Sequence, residues 1–317
     1  MIRKKVRIDF CDFSPNFSKT DNFLFKLLAE RFDVELCDQP DFLIYCTQGH
    51  EHRLHSGVRI FYSAESDLPD FRECDYSIAC VKPNNPRHLQ LPYYAALYEG
   101  GQIVKKDDDF EKIKAGKKKF CAFVVGNYNR RKNHNRVAFF QKLSKYKQVD
   151  SGGRLFNNIG GPIQGNGPGK IEFLRQYKFN IAYENRSQPG YTTEKIFEPM
   201  AARCLPIYWG DPDINEHFNP RSFLNRADFP SDEALIEKII ELDKDDAKYL
   251  EYMRQPYFHG DKPNLFFDRG RMLDFFEKIF TTRITPIAQT GRKKSLFGRW
   301  KLAKRHHWHP TNPPTWQ

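Results

Sequence analysis

Short apolar runs alternate along the chain with segments that repeat apolar residues at helical spacing. Residues 6–10, 41–46 and 120–127 have the length and composition of buried strands. Residues 21–32 place apolar side chains at intervals of three and four, as one face of an amphipathic helix does. Strands that alternate with helices predict an α/β fold.

The stretch at residues 179–210, FNIAYENRSQPGYTTEKIFEPMAARCLPIYWG, combines these signals. Two strand-like runs flank a helical pattern that begins at Glu194, which predicts a βαβ unit in a parallel sheet. Thr192 or Thr193 is expected to cap the helix, because a threonine hydroxyl accepts from an amide of the first turn. Glu194 and Lys195 then lie at a helix N-terminus beyond a strand end, where open α/β sheets bind phosphate groups.

Pro199 falls inside this predicted helix. A proline in a helix interior removes the hydrogen bond to the carbonyl four residues earlier, here that of Lys195, and typically costs about 3 kcal/mol. We therefore expect either a kink at Pro199 or a first turn separated from the rest of the helix. Both would leave Glu194 and Lys195 in place.

The segments FNIAYEN, YTTEK and LPIYWG, in that order and spacing, resemble the donor-binding motif of glycosyltransferase family 10, the α-1,3/4-fucosyltransferases. The resemblance covers residues 120–225 and, more loosely, 41–97. It implies an α/β fold of GT-B architecture, with two Rossmann-like domains facing a central cleft. It also implies an enzyme that transfers L-fucose from GDP-β-L-fucose with inversion.

The length of 317 residues suits two α/β domains. We interpret the polar, lysine-rich stretch Lys105–Lys119 as the linker between them. The predicted organisation is an acceptor-binding domain at residues 1–115, a GDP-fucose-binding domain at 116–282 and a basic amphipathic tail at 283–317.

Inverting transfer of a sugar to a hydroxyl needs a base that takes the acceptor proton. Glu65 ends a predicted strand, and the resemblance implies that it is this base. The alternative is a solvated glutamate beside Asp67 and Asp70.

The leaving diphosphate needs cationic or amide donors. Lys195 is the first candidate, and the resemblance implies that Arg136 supports it. The alternative for Arg136 is a solvated side chain, since the same loop also carries Arg130, Arg131 and Lys132.

Five further residues are candidates for the donor site. The resemblance implies that Glu194 contacts sugar hydroxyls and stabilises positive charge near the anomeric carbon, which makes it the second catalytic candidate. Asn185 and Tyr191 would complete the pocket by hydrogen bonding and stacking; their alternatives are a turn residue and a core aromatic residue. Glu184 belongs to the motif without an assigned role, and Asn127 is a further candidate at a strand end.

No metal site is predicted. Asp211 and Asp213 form an isolated Asp-x-Asp that a turn explains better, because a hard cation needs several convergent oxygens. The resemblance implies that Lys and Arg handle the leaving-group charge, so no cofactor is obligatory and a divalent metal would at most stimulate. His306, His307 and His309 lie in the basic tail and are not expected to be ligands.

The net charge of +11 is concentrated at the C-terminal end. Residues 278–317 contain nine Lys and Arg and no acidic residue. Within residues 292–305, seven cations alternate with Leu, Phe and Trp at near-helical spacing, which predicts peripheral contact with an anionic membrane. The alternatives are a solubilising tail and nucleic-acid binding, and the second is not expected because no nucleic-acid module accompanies the tail.

The predicted location is the cytoplasm, at the inner face of a bacterial inner membrane. No apolar run is long enough to span a membrane, and residues 1–10 lack the apolar region of a signal peptide. The seven cysteines contain no C-x-x-C pair, and their odd number favours reduced thiols.

The expected acceptor is the 3-hydroxyl of N-acetylglucosamine in a Galβ1,4GlcNAc unit of a Lewis-type or lipopolysaccharide glycan. Fucosylation of the 4-hydroxyl or of glucose stays open, as does another GDP-sugar such as GDP-mannose. A protein of a different class, non-catalytic and acting through its basic tail, is the remaining alternative.

Overall fold

The computed structural model describes residues 3–105, 107–126, 130–163 and 167–290, with only the backbone given for 130–134 and 290. The strands are β1 (Lys5–Cys11), β2 (Asp33–Leu36), β3 (Phe42–Tyr45), β4 (Val58–Ser63), β5 (Tyr76–Ala79), β6 (His88–Gln90), β7 (Lys119–Phe123), β8 (Val149–Ser151), β9 (Tyr177–Tyr183), β10 (Leu205–Trp209) and β11 (Leu224–Asn225). The helices are α1 (Phe23–Arg31), α2 (Tyr93–Leu97), α3 (Phe110–Gly116), α4 (Arg130–Leu143), α5 (Pro168–Leu174), α6 (Glu194–Ala201), α7 (Ile214–His217), α8 (Asp232–Lys244), α9 (Asp246–Arg254), α10 (Arg269–Thr281) and α11 (Ile287–Thr290). The predicted α/β alternation is confirmed.

The strands form two sheets, ordered β2-β1-β3-β4-β5-β6 and β11-β10-β9-β7-β8. All four pairings of the second sheet are parallel. The predicted βαβ unit is confirmed, because β9 and β10 pair in parallel with Phe179 opposite Leu205 and α6 connects them. In this sheet β7 lies between β8 and β9, and a reversal of strand order of this kind opens a crevice at the carboxyl ends of the strands.

The chain divides into two compact units. The described part of the first unit comprises residues 3–62, 69–77 and 273–290, and that of the second comprises 63–68 together with the described residues of 78–272. The predicted base, Glu65, therefore belongs to the second unit. The division of the sequence near residue 115 stays a prediction.

The core of the second unit surrounds β9. All of β9 except the half-buried Lys178 is buried, as expected for a central parallel strand covered on both faces. A large cluster joins β7, β9 and β10 to α4, α8 and α9, and a smaller one contains Leu174 of α5 together with Ala202 and Cys204, which follow α6. This packing fixes the end of β9, where the chain enters the Glu184–Asn185 turn of the motif.

Pro199 lies inside α6, and the first turn of the helix is not separated from the rest. Only two more helical residues follow Pro199, so the missing amide weakens the helix near its end. The helix closes with Arg203 at a φ of 53°, while the Cys204 amide donates to the Pro199 carbonyl (2.8 Å) and the Arg203 amide to that of Met200 (3.0 Å). This is the Schellman arrangement, which satisfies the last carbonyls of a helix.

The stretch interpreted as a linker is more ordered than its composition indicates. Helix α3 lies within it, capped by Asp109, which accepts from the Lys112 amide (3.1 Å). Lys105 is buried, and its ammonium donates to the carbonyls of Met253 and Gln255 at 2.5 Å each. Sequence composition missed these contacts because they join residues about 150 positions apart.

A buried ionic cluster fixes the loops of the first unit. His52 Nδ1 lies 2.6 Å from Asp12 Oδ2, and His52 Nε2 lies 3.1 Å from Glu73 Oε2. Asp12 also accepts from the amides of Glu51 and His52. Arg53 binds Glu73 through two hydrogen bonds of 2.9 Å. Burial alone would raise the pKa of Asp12, but the hydrogen bonds from His52 and the two amides lower it.

Asp12→Ala should lower the free energy of unfolding by about 2 kcal/mol, because it leaves the His52 ring nitrogen and the Glu51 and His52 amides without their buried partner. The pKa of Asp12 is lower in the folded state than in the unfolded state. Its contribution to the free energy of unfolding is therefore fully present above the unfolded pKa of about 3.9, and it is lost as the pH falls through the folded pKa. Urea denaturation at several pH values measures this. The exposed Asp38→Ala is the control, and equal stability of the two variants at neutral pH would contradict the prediction.

Candidate active site

The second unit brings most of the predicted site residues into two hydrogen-bonded groups beyond the carboxyl end of β9, which meet at the consecutive residues Glu184 and Asn185. They come from the segment after β4, from α4, from the turn after β9 and from the start of α6. They are Glu65, Arg136, Glu184, Asn185, Tyr191, Glu194 and Lys195. Asn127 lies outside the described residues.

Glu184 holds the start of α6. Its carboxylate is buried and accepts from the Thr193 amide (2.7 Å) and the Thr193 hydroxyl (2.8 and 2.9 Å). Of the two predicted candidates, Thr193 is the helix cap, and its hydroxyl accepts from the Lys195 amide (3.4 Å). Sequence reasoning left Glu184 without a role; the structure shows that it fixes the loop and the helix start.

This arrangement changes the expected phosphate site. The Thr193 amide, at the N-terminus of α6, is already bound by the Glu184 carboxylate. An incoming anion therefore meets the cationic side chains of the site and not that amide.

Lys195 is a charged group between two carboxylates. Its Nζ lies 3.3 Å from Glu184 Oε2 and 3.3 Å from Glu194 Oε1, and its side chain is 20% exposed. Burial opposes the charged form, but these carboxylates hold the pKa of Lys195 above its usual range.

Glu194 is ionised for a related reason. Burial would raise its pKa, yet the charges of Lys195 and Lys170 lower it. Glu184 differs, because complete burial raises its pKa despite the attraction of Lys195. The site thus holds two neighbouring carboxylates with opposite shifts: the pKa of Glu194 is lowered and that of Glu184 is raised.

Arg136 is a buried cation with an unused donor. Its Nη2 donates to Asn185 Oδ1 (2.5 Å), and its Nε is buried without an acceptor among the described residues. Burial lowers its pKa, which the negative charges of Glu184 and Glu194 oppose. A buried N–H without an acceptor is costly. An anionic oxygen that bound beside Arg136 would accept a hydrogen bond from its Nε.

Glu65 is exposed, and its carboxylate accepts from the buried Tyr191 hydroxyl (2.7 Å). The Glu65 amide donates to Ser63 Oγ (3.1 Å), which itself donates to Asp67 (2.9 Å). Asp70 binds Arg72 instead. These contacts favour a positioned carboxylate over the alternative of a freely solvated glutamate.

Asp211 anchors the loop that carries Tyr191. It is buried and accepts from the Gly190 amide (2.8 Å), the Thr192 hydroxyl (2.8 Å) and the Asp213 amide (2.9 Å). The Asp-x-Asp pair therefore forms a turn, as expected. The sequence showed Asp211 only as a turn residue and missed its role as a support for the site.

Gly190 occupies a conformation and a space that suit only glycine. Its φ is 80°, and a Cβ there would lie 2.6 Å from Gln90 Nε2 and 2.8 Å from the Cys80 carbonyl oxygen. Glycine thus allows the loop to approach the neighbouring backbone closely.

The described residues contain no group of three or more His, Cys, Asp or Glu side chains placed to hold a metal ion. The seven cysteines all lie in the described part of the chain, and no disulfide joins any of them. Among the described helices, none has the length and apolarity to cross a membrane.

Gly210→Ala should lower the free energy of unfolding by about 2 kcal/mol through overpacking. The added Cβ would lie 2.4 Å from Glu184 Cγ and 2.8 Å from the Tyr208 hydroxyl, so the buried carboxylate must move away from Thr193. Urea denaturation measures the change. Gly116→Ala is the matched control, because a Cβ there meets nothing within 4 Å; similar stability of both variants would show that Glu184 shifts without cost.

Two family models match the chain. "Alpha-(1,3)-fucosyltransferase FucT N-terminal domain" matches residues 8–98, and "Glycosyltransferase family 10 (fucosyltransferase) C-term" matches residues 114–257. Together they cover most of the described residues, and the second includes the site residues from Arg136 to Lys195.

Two curated relatives illustrate the range of similar proteins. An α-(1,3)-fucosyltransferase FucT from Helicobacter pylori is 29% identical over 272 residues, which cover 74% of this chain and 55% of that protein. A 3-galactosyl-N-acetylglucosaminide 4-α-L-fucosyltransferase from Bos taurus is 33% identical over 143 residues, covering 44% of this chain and 37% of that protein. The chain thus spans about half the length, or less, of these relatives.

A crystal structure of an α1,3-fucosyltransferase with GDP-fucose has the same fold. It superposes with a TM-score of 0.74 at 26% identity, covering 90% of this chain and 94% of that chain. The predicted GT-B fold class is confirmed by this likeness and by the two parallel sheets.

Proposed function

We propose, from the premise that the chain belongs to glycosyltransferase family 10, that it transfers L-fucose from GDP-β-L-fucose to a glycan hydroxyl with inversion. The observation that carries the proposal is the hydrogen-bonded group in which an exposed carboxylate, Glu65, is linked through Tyr191 and Asn185 to the buried cation Arg136. The GDP-fucose bound in the similar crystal structure supports the donor.

Lys195 and Arg136 would bind the diphosphate and stabilise the charge that grows on it as GDP leaves. Both side chains are partly or fully buried, and electrostatic stabilisation is strongest where water is excluded. The unused Nε of Arg136 supplies a donor for a phosphate oxygen.

Glu65 would act as the general base. The acceptor oxygen forms a bond to the anomeric carbon of fucose, the bond from that carbon to the phosphate oxygen breaks, and Glu65 takes the acceptor proton. The ionised Glu194 would stabilise the positive charge that develops on the sugar. No step requires a metal, and stimulation by a divalent cation remains the most that we expect.

The preferred acceptor is the 3-hydroxyl of N-acetylglucosamine in a Galβ1,4GlcNAc unit of a Lewis-type or lipopolysaccharide glycan. The Helicobacter pylori relative, named as an α-(1,3)-fucosyltransferase, supports the 3-linkage. The bovine relative is named as a 4-α-L-fucosyltransferase, which keeps the 4-hydroxyl as the second candidate. The test offers the enzyme a Galβ1,3GlcNAc and a Galβ1,4GlcNAc disaccharide as acceptors. Linkage analysis of the products then shows whether the 4-hydroxyl or the 3-hydroxyl was fucosylated.

Glu65→Gln should lower kcat by two to four orders of magnitude, roughly the contribution of a general base, with little change in GDP affinity.

Lys195→Ala should lower kcat/KM by about two to three orders of magnitude because it removes a cation from the leaving group. The assay is fucosyl transfer to N-acetyllactosamine, with GDP binding measured by calorimetry.

The exposed Glu237→Gln is the control and should behave like the wild type. Wild-type turnover in either site variant would remove the role assigned to that residue. Calorimetry with GDP-mannose tests the donor: tight binding of GDP-mannose without binding of GDP-fucose would overturn the fucosyl assignment.

The basic tail would attach the protein to an anionic membrane at the inner face of a bacterial inner membrane. This part of the proposal rests on sequence alone, since residues 291–317 lie outside the described residues. Each Lys or Arg near an anionic surface contributes on the order of 1 kcal/mol, so the seven cations within residues 292–305 are sufficient for peripheral binding.

Deletion of residues 290–317 should abolish co-sedimentation with phosphatidylglycerol vesicles and preserve transfer to a soluble acceptor. Neutral phosphatidylcholine vesicles and high salt are the controls, because the attraction is electrostatic. Unchanged sedimentation would exclude membrane binding through the tail. Vesicle binding by a full-length protein that transfers no fucose would favour the alternative of a non-catalytic protein acting through its tail.

A further inference from the structure

We propose that Tyr191 is the positioning residue of the general base Glu65, and that it joins the base to the donor-binding cation in one hydrogen-bond chain. This inference rests on the proposed function. It differs from the expectation drawn from the sequence, in which Tyr191 lines the donor pocket and stacks on the ligand.

The chain consists of three successive contacts. Arg136 Nη2 donates to Asn185 Oδ1 (2.5 Å), Asn185 Nδ2 donates to the Tyr191 hydroxyl (3.4 Å), and that hydroxyl donates to Glu65 Oε2 (2.7 Å). The donor directions agree along the whole path. The contact to Glu65 is short, as hydrogen bonds to ionised acceptors are.

Burial determines what the tyrosine can do. Tyr191 is 0% exposed, so its ring has no free face on which a base or sugar could stack. Burial raises the pKa of its hydroxyl, and the charges of Glu184 and Glu65 raise it further. The hydroxyl therefore stays protonated and acts as a fixed donor.

Both ends of the Tyr191–Glu65 contact are held by other bonds. The Tyr191 amide donates to the Gln188 carbonyl (3.0 Å), and the preceding Gly190 amide donates to Asp211 (2.8 Å). The Glu65 amide donates to Ser63 Oγ (3.1 Å). The hydroxyl thus fixes the direction of a carboxylate that is otherwise exposed.

The two oxygens of the Glu65 carboxylate have different roles in this geometry. Oε2 accepts from Tyr191, and within the described part of the chain Oε1 takes no hydrogen bond. The acceptor proton would pass to Oε1 while the acceptor oxygen forms its bond to the anomeric carbon and GDP departs. Tyr191 keeps its own proton throughout.

Removing the hydroxyl leaves the exposed Glu65 carboxylate free to rotate, so the acceptor proton would meet a base of no fixed direction. The other groups facing Glu65 and Tyr191 remain unchanged. They are Arg136, Glu184, Glu194, Lys195, Cys80, Tyr93 and, through Ser63, Asp67.

The test compares Tyr191→Phe with wild type in fucosyl transfer. kcat should fall by about tenfold, in the range expected for losing one hydrogen bond that positions a charged group. GDP affinity, measured by calorimetry without acceptor, should stay within about threefold, because Lys195 and Arg136 remain in place. Tyr183→Phe is the matched control, since the Tyr183 hydroxyl is buried without a hydrogen-bond partner among the described residues.

A second readout does not depend on activity. At one fixed pH, the carboxyl ¹³C signal of Glu65, assigned with Glu65→Gln, should change position in Tyr191→Phe and stay unchanged in Tyr183→Phe, because only the first variant loses the hydroxyl that contacts Oε2. An unchanged signal, or an unchanged kcat together with GDP affinity weakened tenfold or more, would overturn the inference and make Tyr191 a donor-binding residue. A signal that changes in Tyr191→Phe, in a protein whose wild type transfers no fucose, would support the contact and refute the proposed function.

Discussion

The buried carboxylate of Glu184 is the interaction on which the site depends. It binds both polar groups of Thr193 and lies 3.3 Å from the Lys195 ammonium. A buried charge is tolerated only when it is paired and hydrogen-bonded, so Thr193 and Lys195 cannot move independently of it. Gly210 leaves just enough room for this side chain. Thr193, Lys195 and the end of β9 therefore keep fixed positions relative to one another.

The sequence predicted the local parts of this arrangement well. Alternating strand and helix patterns located β9, α6 and β10, and the helix cap was narrowed to Thr192 or Thr193, of which Thr193 is the cap. These features depend on neighbours within a few positions, which periodicity and capping rules describe directly. Resemblance to a family motif added the residues of the site, and the structure brings the described ones together.

The long-range parts could not be predicted in this way. The Tyr191–Glu65 contact joins residues 126 positions apart, and the Arg136–Asn185 contact joins residues 49 apart. Periodicity indicates which face of an element is buried but not which distant side chain it meets. The same limit explains why the buried Lys105 was assigned to a linker, and why Glu184 and Asp211 were seen as motif and turn residues without their supporting roles.

The charges of the site show how it remains stable before a donor binds. Arg136 and Lys195 are cations in surroundings that burial makes unfavourable. Glu184 and Glu194 supply the opposing charge, and Asn185 accepts one guanidinium hydrogen.

The two glutamates that supply this charge lie in different environments. Burial raises the pKa of Glu184 and makes its charged form the less favourable one. The charges of Lys195 and Lys170 lower the pKa of Glu194. Burial and local charge thus separate a carboxylate that holds the loop and the helix start from a neighbouring one that favours the charged form.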